Sequence, residues 1–272
     1  MTDLVVRRLL IDLETEIPPR WAGGDAFRTA LFNALSMSFP VGEQFFIDSL
    51  RAGLKQLSED QRERYAAEVQ GFIGQEATHR RIHALFNAHL DKRGYVNTWE
   101  KRIQSRTPIF DEVNARHVVA ATAATEHFTA ILADWMLRHT QVLDDAEPRL
   151  RTMWMWHASE ESEHRSTAFD IYQALGGNHE WRIRWFRRVT VTFLSDVTRQ
   201  TMRNLWHDGA LFSFSTWRSA ASYLFGKHGL VRCTYPAWRA YFKPDFHPRQ
   251  QDDALSRDWL RSNAGQFSEV AR

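Results

Sequence analysis

The stretch from Trp156 to His164, WHASEESEH, places carboxylates and imidazoles together in a segment with helical character. At about 100° per residue, Glu161 and His164 share one face of a helix, and His157 lies one turn earlier on that face. A second Glu-x-x-His pair spans residues 76–79. The two pairs predict two helices that direct metal-binding side chains into one interior.

Two isolated glutamates complete the pattern, because Glu43 and Glu126 each lie on a predicted helix face that is otherwise apolar or made of small residues. A carboxylate on a core face is unfavourable unless it is paired or binds metal. Four of them together would repel one another and raise their pKa values. One Glu from each of two helices plus Glu-x-x-His from each of two others is the di-iron carboxylate arrangement. The sequence therefore predicts a site for two metal ions with these ligands: Glu43, Glu76, His79, Glu126, His157, Glu161 and His164.

Two more residues lie close to the predicted ligands. His83 follows His79 by one turn, and it could be an extra ligand, a group that orients a ligand, or a packed core histidine; we favour the orienting role. Glu160 lies about 60° from His157 on a helical wheel. It could therefore take the place of Glu161 or bond to a ligand histidine.

Helical periodicity extends along most of the chain, and strand patterns are scarce. Asp25, Ser58 and Asn178 are predicted helix caps, and Thr107-Pro108 and Pro148 are predicted helix starts. Pro40 and Gly42 should kink or break the first helix. The predicted helices run over residues 26–56, 59–92, 108–140, 148–176 and 179–207. We expect an all-α fold: a ferritin-like four-helix bundle over residues 1–177, with the connection 94–107 as its crossover, and a helical, aromatic-rich C-terminal extension over residues 178–272 that packs on it.

Composition restricts the class of protein. Among the 272 residues, 43% are hydrophobic and 25% are charged, as in soluble globular proteins. A net charge of +2 gives no reason to expect a nucleic-acid partner. The single cysteine, Cys233, cannot form an internal disulfide, and residues 1–13 lack the apolar run of a signal peptide. We therefore expect a cytoplasmic protein.

Aromatic and basic residues are concentrated in the extension. In the segment 181–188, a buried aromatic stripe with a solvated arginine face is favoured over contact with anionic lipid or nucleic acid. The aromatic pieces between residues 212 and 242 have three interpretations: a cover for the bundle, a contact in a homodimer, or a peripheral membrane contact.

The order Glu, Glu-x-x-His, Glu, Glu-x-x-His from Glu43 to His164 resembles the ferritin-like di-iron carboxylate proteins. With His157 added, the ligand pattern resembles the p-aminobenzoate N-oxygenase-like di-iron oxygenases. The segments 39–46, Phe-Pro-x-Gly-Glu-x-Phe-Phe, and 156–164, Trp-His-x-x-Glu-Glu-x-Glu-His, also resemble a bacterial family labelled predicted metal-dependent hydrolase, over most of the chain. The first two resemblances imply two iron ions and oxidative chemistry, and the third implies hydrolysis.

Three functions follow as expectations. The leading one is a dinuclear iron oxygenase or oxidase that uses dioxygen and an electron donor to N-oxygenate or hydroxylate a small organic substrate. The first alternative is a dinuclear metal-dependent hydrolase with manganese or zinc. The second is a metal-binding bundle without enzymatic activity.

Overall fold

The computed structural model of the protein describes residues 4–110 and 113–270, and within these ranges it is almost entirely helical. The helices are α1 (Ala26–Gln56), α2 (Glu59–Lys92), α3 (Thr98–Arg106), α4 (Ala115–Arg138), α5 (Pro148–His164), α6 (Thr167–Ala174), α7 (His179–His207), α8 (Phe214–Phe225), α9 (Leu230–Ala240) and α10 (Ala254–Ser262). Two short antiparallel strands, β1 (Arg7–Leu9) and β2 (Phe267–Glu269), pair near the two ends of the described chain. The predicted all-α class is confirmed.

Side-chain caps fix the starts of three long helices where the sequence predicts them. The side chain of Asp25 accepts a hydrogen bond from the backbone N–H of Arg28 at 2.8 Å, and Asn178 accepts one from Trp181 at 2.9 Å. Ser58 caps α2 in the same way. Each cap satisfies a backbone donor that has no partner inside its helix, so each helix begins at a defined residue.

Helix α1 continues through Pro40, so the prediction of a break at this position is wrong. Proline lacks the N–H that would bond to the carbonyl of residue 36, four positions earlier. The side-chain amide of Asn87 on α2 donates to that carbonyl instead, at 2.9 Å. A donor from a neighbouring helix thus replaces the missing one, which allows α1 to remain continuous.

Two other predicted boundaries also differ. Residues Thr107–Phe110 form a 3₁₀ turn after α3, and α4 begins only at Ala115, capped by Asn114; residues 111 and 112, which the predicted third helix included, lie outside the described part. The predicted crossover 94–107 contains α3. The predicted fourth helix is split into α5 and α6 by a turn at Arg165 and Ser166.

The helices that carry the predicted ligands pack in a ring: α1 contacts α2 and α4, and α5 contacts α4 and α2. Helix α7 lies along α1 and α4, and α8 and α9 continue this outer layer. Large aromatic side chains, including Phe32, Phe72, Trp154 and Trp156, fill the interior on both sides of the ligands. The division of the chain at residue 177 remains a prediction. Within the described residues, no helix combines the length and apolarity needed to cross a membrane.

Candidate metal centre

All seven predicted ligands meet in the interior between α1, α2, α4 and α5. None of them is more than 4% exposed. Groups of three with ligand atoms within 4.8 Å of one another include Glu43 with Glu76 and His79, and Glu76 with Glu161 and His164. Glu126 joins the second group, since its Oε2 lies 3.3 Å from Nε2 of His164. Because Glu76 belongs to both groups, the arrangement has the form of two adjacent metal sites with a shared carboxylate.

Most of the carboxylate oxygens in this interior have no hydrogen-bond donor. Both oxygens of Glu43, Glu76 and Glu126 are buried without a partner among the described residues, and so is one oxygen of Glu161. Buried carboxylates in proteins are normally paired or bound to a metal, because an isolated buried charge is strongly unfavourable. Bound cations would satisfy these oxygens.

Gln75 orients the first of the three histidines. Its side-chain N–H groups donate to the carbonyl of Val5 at 2.9 Å and to Glu163 at 2.8 Å. The amide oxygen of Gln75 therefore accepts the proton on Nδ1 of His164, at 2.9 Å. This network leaves Nε2 of His164 as the nitrogen that would bind a cation once its own proton has left. That atom lies 3.2 Å from Glu76 and 3.3 Å from Glu126, in position to bind a cation with them.

Glu160 orients the second histidine. Its Oε2 lies 2.9 Å from Nε2 of His79, while Arg7 on β1 holds its other oxygen at 3.1 Å. The proton on Nε2 is directed to Glu160, so Nδ1 of His79, 3.5 Å from Glu161, is the nitrogen that would bind a metal ion once its own proton has left. Glu160 thus bonds to a predicted ligand histidine, which is one of the two roles that the sequence suggests for it.

A chain of four hydrogen-bonded side chains orients the third histidine. Asn87 donates to the backbone carbonyl of Ser36, so its amide oxygen accepts the Ser36 hydroxyl at 2.7 Å. The serine oxygen then accepts from Nδ1 of His83 at 2.8 Å. Nε2 of His83 is left as an acceptor for Nδ1 of His157, at 2.7 Å. The chain gives Nε2 of His157 a lone pair, 2.9 Å from Glu161 and 3.9 Å from Glu43.

The same chain bears on the role of His83. Both of its ring nitrogens are engaged, one by the Ser36 hydroxyl and the other by His157. His83 also belongs to a group with Glu43 and His157 whose ligand atoms lie within 4.8 Å of one another. The orienting role stays a prediction, and these two hydrogen bonds are the contacts that it requires.

Burial and neighbouring charges shift the pKa values of the clustered side chains. Burial raises the pKa of Glu43 well above its usual range, and burial together with the charge of Glu161 raises the pKa of Glu126 to about 8. Burial lowers the pKa of His157 to about 4. Burial opposes the charging of His79 as well, but the carboxylates of Glu160 and Glu161 outweigh it and raise the pKa to about 10. Protons thus compensate part of the negative charge that metal ions would otherwise neutralise.

The residues fit a pair of divalent metal ions. Two divalent ions carry four positive charges, which equal the charge of the four ligand carboxylates. The orphaned carboxylate oxygens and the three oriented imidazoles supply hard and borderline donors, as manganese, iron and zinc prefer. The predicted ability of these side chains to bind metal is therefore supported by clusters that the structure places together.

Several contributors to the centre were not predicted from the sequence: Arg7, Ser36, Gln75 and Asn87. Only Gln75 had a local signal, since it directly precedes Glu76. Arg7 also binds Glu163, at 2.7 Å.

Two further buried side chains have partners outside the cluster. His127 donates to the carbonyl of Ala237 at 3.1 Å and lies among aromatic rings. Asp170 is only 8% exposed and binds His247 and Arg249.

A cavity of about 170 Å³ lies beside the centre, lined mainly by apolar side chains. Gly42 and Thr125, the chain neighbours of Glu43 and Glu126, form part of its wall. Phe39 also borders it, with its ring 4.7 Å from that of His157. Asp196, the acidic residue of the described wall, is held by Arg102 and Arg106. The cavity offers a small apolar molecule a position beside the cluster.

Comparison with known protein families gives a match over residues 5–252 to a family described as predicted metal-dependent hydrolase. Neither a curated protein nor a solved structure matches the chain.

Proposed function

Because this chain belongs to the family of predicted metal-dependent hydrolases, we propose that it is a hydrolase whose active centre holds two divalent metal ions. The observation that carries the proposal is the set of buried, partnerless carboxylate oxygens on Glu43, Glu76 and Glu126. The metal ions would be held by these three residues together with His79, His157, Glu161 and His164. We propose that the ions are zinc or manganese.

The protein's own side chains would prepare the centre for hydrolysis. Glu160, Gln75 and His83 fix the three histidine rings with their metal-binding nitrogens toward the carboxylates. Bound divalent ions supply Lewis acidity, which polarises a carbonyl or phosphoryl oxygen and lowers the pKa of water. The apolar wall around Phe39 would position the organic part of a substrate and exclude bulk water.

We also propose that α1, α2, α4 and α5 form a ferritin-like four-helix bundle. Two of them contribute a single glutamate, Glu43 or Glu126, and the other two contribute a Glu-x-x-His pair. This division of ligands among packed helices supports the proposal, because it is the arrangement of the di-iron carboxylate bundles.

A second candidate, a dinuclear iron oxygenase, is favoured by one specific observation. Asp196, the acidic residue of the described cavity wall, is paired with two arginines, so the wall offers no free carboxylate as a general base for hydrolysis. Oxidation of a small organic molecule by dioxygen needs no such base, but it does benefit from a dry, apolar site. Two iron ions and an external electron donor belong to this candidate.

One experiment separates the two candidates. Metal-free protein is loaded with zinc, manganese or, without oxygen, ferrous iron, and is then assayed for ester and phosphoester hydrolysis and for oxygen consumption with a reductant. The hydrolase proposal expects turnover with zinc or manganese and no oxygen consumption. Oxygen consumption by the iron form alone would reject it in favour of the oxygenase. Glu126→Gln should abolish either activity, whereas Glu63→Gln, at an exposed position of α2, should not.

A further inference from the structure

A second cavity, distinct from the one beside the metal centre, lies under the C-terminal helices. It has a volume of about 520 Å³ and is bounded by α1, α4, α7, α8 and α9. Its floor is buried and apolar, with Leu31, Phe128 and Leu205 among its side chains. Its rim is exposed: Leu194 and Tyr235 are each 52% accessible. The cavity is therefore open at one end and apolar along its length.

A cavity with these properties is suited to an apolar ligand. Its volume falls within the range of about 300–1,000 Å³ that is typical of small-molecule sites. Apolar cavities hold water poorly, and even one of about 150 Å³ stays dry and takes up an apolar molecule. An extended hydrocarbon chain would bury the exposed rim and floor together.

One polar group in the wall indicates a ligand that carries a hydrogen-bond acceptor as well as a hydrocarbon chain. Thr201 is 5% exposed, and its hydroxyl has no hydrogen-bond partner among the described residues. Two other wall threonines are satisfied: Thr190 and Thr234 donate to carbonyls four residues earlier in their own helices. A buried hydroxyl without a partner, on a residue of the cavity wall, is a donor that a ligand acceptor such as a carbonyl oxygen would satisfy.

The surface around the rim is strongly basic. Residues 178–243 contain eleven lysines and arginines against three acidic residues. Five exposed arginines each directly follow a residue of the cavity wall, and none of them forms an ion pair with a described residue: Arg199, Arg203, Arg218, Arg232 and Arg239. This excess of positive charge favours an anionic group outside the cavity.

From these observations we propose that the cavity binds a single-chain acyl lipid with an anionic head group. The acyl chain occupies the apolar floor, the ester carbonyl accepts a hydrogen bond from Thr201, and the head group lies against the arginines at the rim. The proposal is independent of the metal centre and can be tested on metal-free protein.

The test is calorimetric titration of the full chain with palmitoyl lysophosphatidylglycerol below its micelle concentration. We expect saturable binding of one lipid per chain, weaker at high salt because the head group is screened. Leu224→Trp, which fills the cavity from α8, should weaken binding at least tenfold. Ala221→Trp, at an exposed position of the same helix outside the wall, should leave it unchanged.

A second pair of measurements tests the role of Thr201. Thr201→Val keeps the shape and removes the hydroxyl, and it should weaken binding about fivefold, the effect of one hydrogen bond. The ether-linked analogue, which lacks the carbonyl, should bind wild type about fivefold more weakly and should not distinguish wild type from Thr201→Val. Equal lipid binding by wild type, Leu224→Trp and Ala221→Trp would overturn the proposal. The proposal would also fail if a cavity variant changed the oligomeric state and left lipid binding unchanged. In that case a second copy of the chain would occupy the cavity.

Discussion

Replacing Ser36 by alanine tests the orientation of the metal centre without touching a predicted ligand. In the native chain of hydrogen bonds, the serine oxygen accepts from Nδ1 of His83 at 2.8 Å. Without it, His83 must either leave a buried N–H unsatisfied or move the proton to Nε2. In the second case Nδ1 of His157 becomes the acceptor and its Nε2 carries the proton, directed at Glu161. The lone pair that a metal needs is then lost.

Both outcomes, an unsatisfied N–H on His83 or a misplaced proton on His157, give an estimate of the loss in metal affinity. An unsatisfied buried donor costs about 1–3 kcal/mol. Loss of a partner that orients a metal ligand typically weakens metal binding about 10–100-fold, which is about 1.4–2.8 kcal/mol. The two estimates agree, so we expect Ser36→Ala to weaken the binding of zinc or cobalt by one to two orders of magnitude. Competition with a chromophoric chelator measures this directly, and the visible spectrum of the cobalt form should change as well.

Ser38→Ala is the matched control. Ser38 is also buried on α1, but its hydroxyl donates only to the carbonyl of Leu35, at 2.7 Å. Its replacement should leave metal affinity unchanged, and Ser36→Thr, which keeps a hydroxyl, should restore most of the affinity. If Ser36→Ala binds metal as tightly as Ser38→Ala, the assignment of His157 and its hydrogen-bonded chain is refuted.

Three further predictions follow from the buried charges. Glu126→Gln should stabilise the metal-free protein at pH 7 by up to about 3 kcal/mol. A glutamate with a pKa of about 8 in the fold and about 4.5 unfolded loses its stabilising contribution progressively as pH rises from 4.5 to 8, so most of it is already lost at pH 7. Urea unfolding measures the difference. Arg7→Met should weaken metal binding about tenfold by releasing Glu160, whereas Arg8→Met, on the exposed side of the same strand, should not. His127→Gln should remove part of the acid sensitivity, because burial lowers the pKa of His127 to about 4 and its contribution to stability is lost as pH falls from 6.5 to 4.

Each of these predictions has an outcome that contradicts it. For Glu126, it is a metal-free variant no more stable than wild type at pH 7, with an unchanged rise in melting temperature on adding metal. For Arg7, it is equal metal affinity in the Arg7 and Arg8 variants. For His127, it is a difference in unfolding free energy between wild type and variant that is the same at pH 7 and pH 4.5.

Helical periodicity alone predicts that these ligands face one interior, because the face on which each ligand lies follows from its spacing on its own helix. Glu76 with His79 and Glu161 with His164 are local patterns, and burial makes their orientation unambiguous. The groups that orient them are not local. Arg7 meets Glu160 across 153 positions of sequence, and nothing in either neighbourhood indicates the pairing.

The helix boundaries that were predicted wrongly also depend on contacts between residues that are distant in sequence. Pro40 should interrupt a helix by every local rule, but Asn87 supplies the missing donor from α2. Thr107-Pro108 is a good local start, yet Asn114 is an equally good cap seven residues later, and the packing of α3 against α1 and α7 decides between them. Tertiary contacts overrule local preference at such positions.

The antiparallel pair of β1 and β2 has a consequence for how the protein matures. Arg7, which positions Glu160 and through it His79, lies on a strand whose partner is the segment 267–269. A ribosome has already made every predicted ligand about a hundred codons before it reaches that partner. Correct geometry at His79 is thus completed only after residues 267–269 have been made, so metal insertion into this centre is expected to follow the synthesis of that strand rather than the synthesis of the ligands.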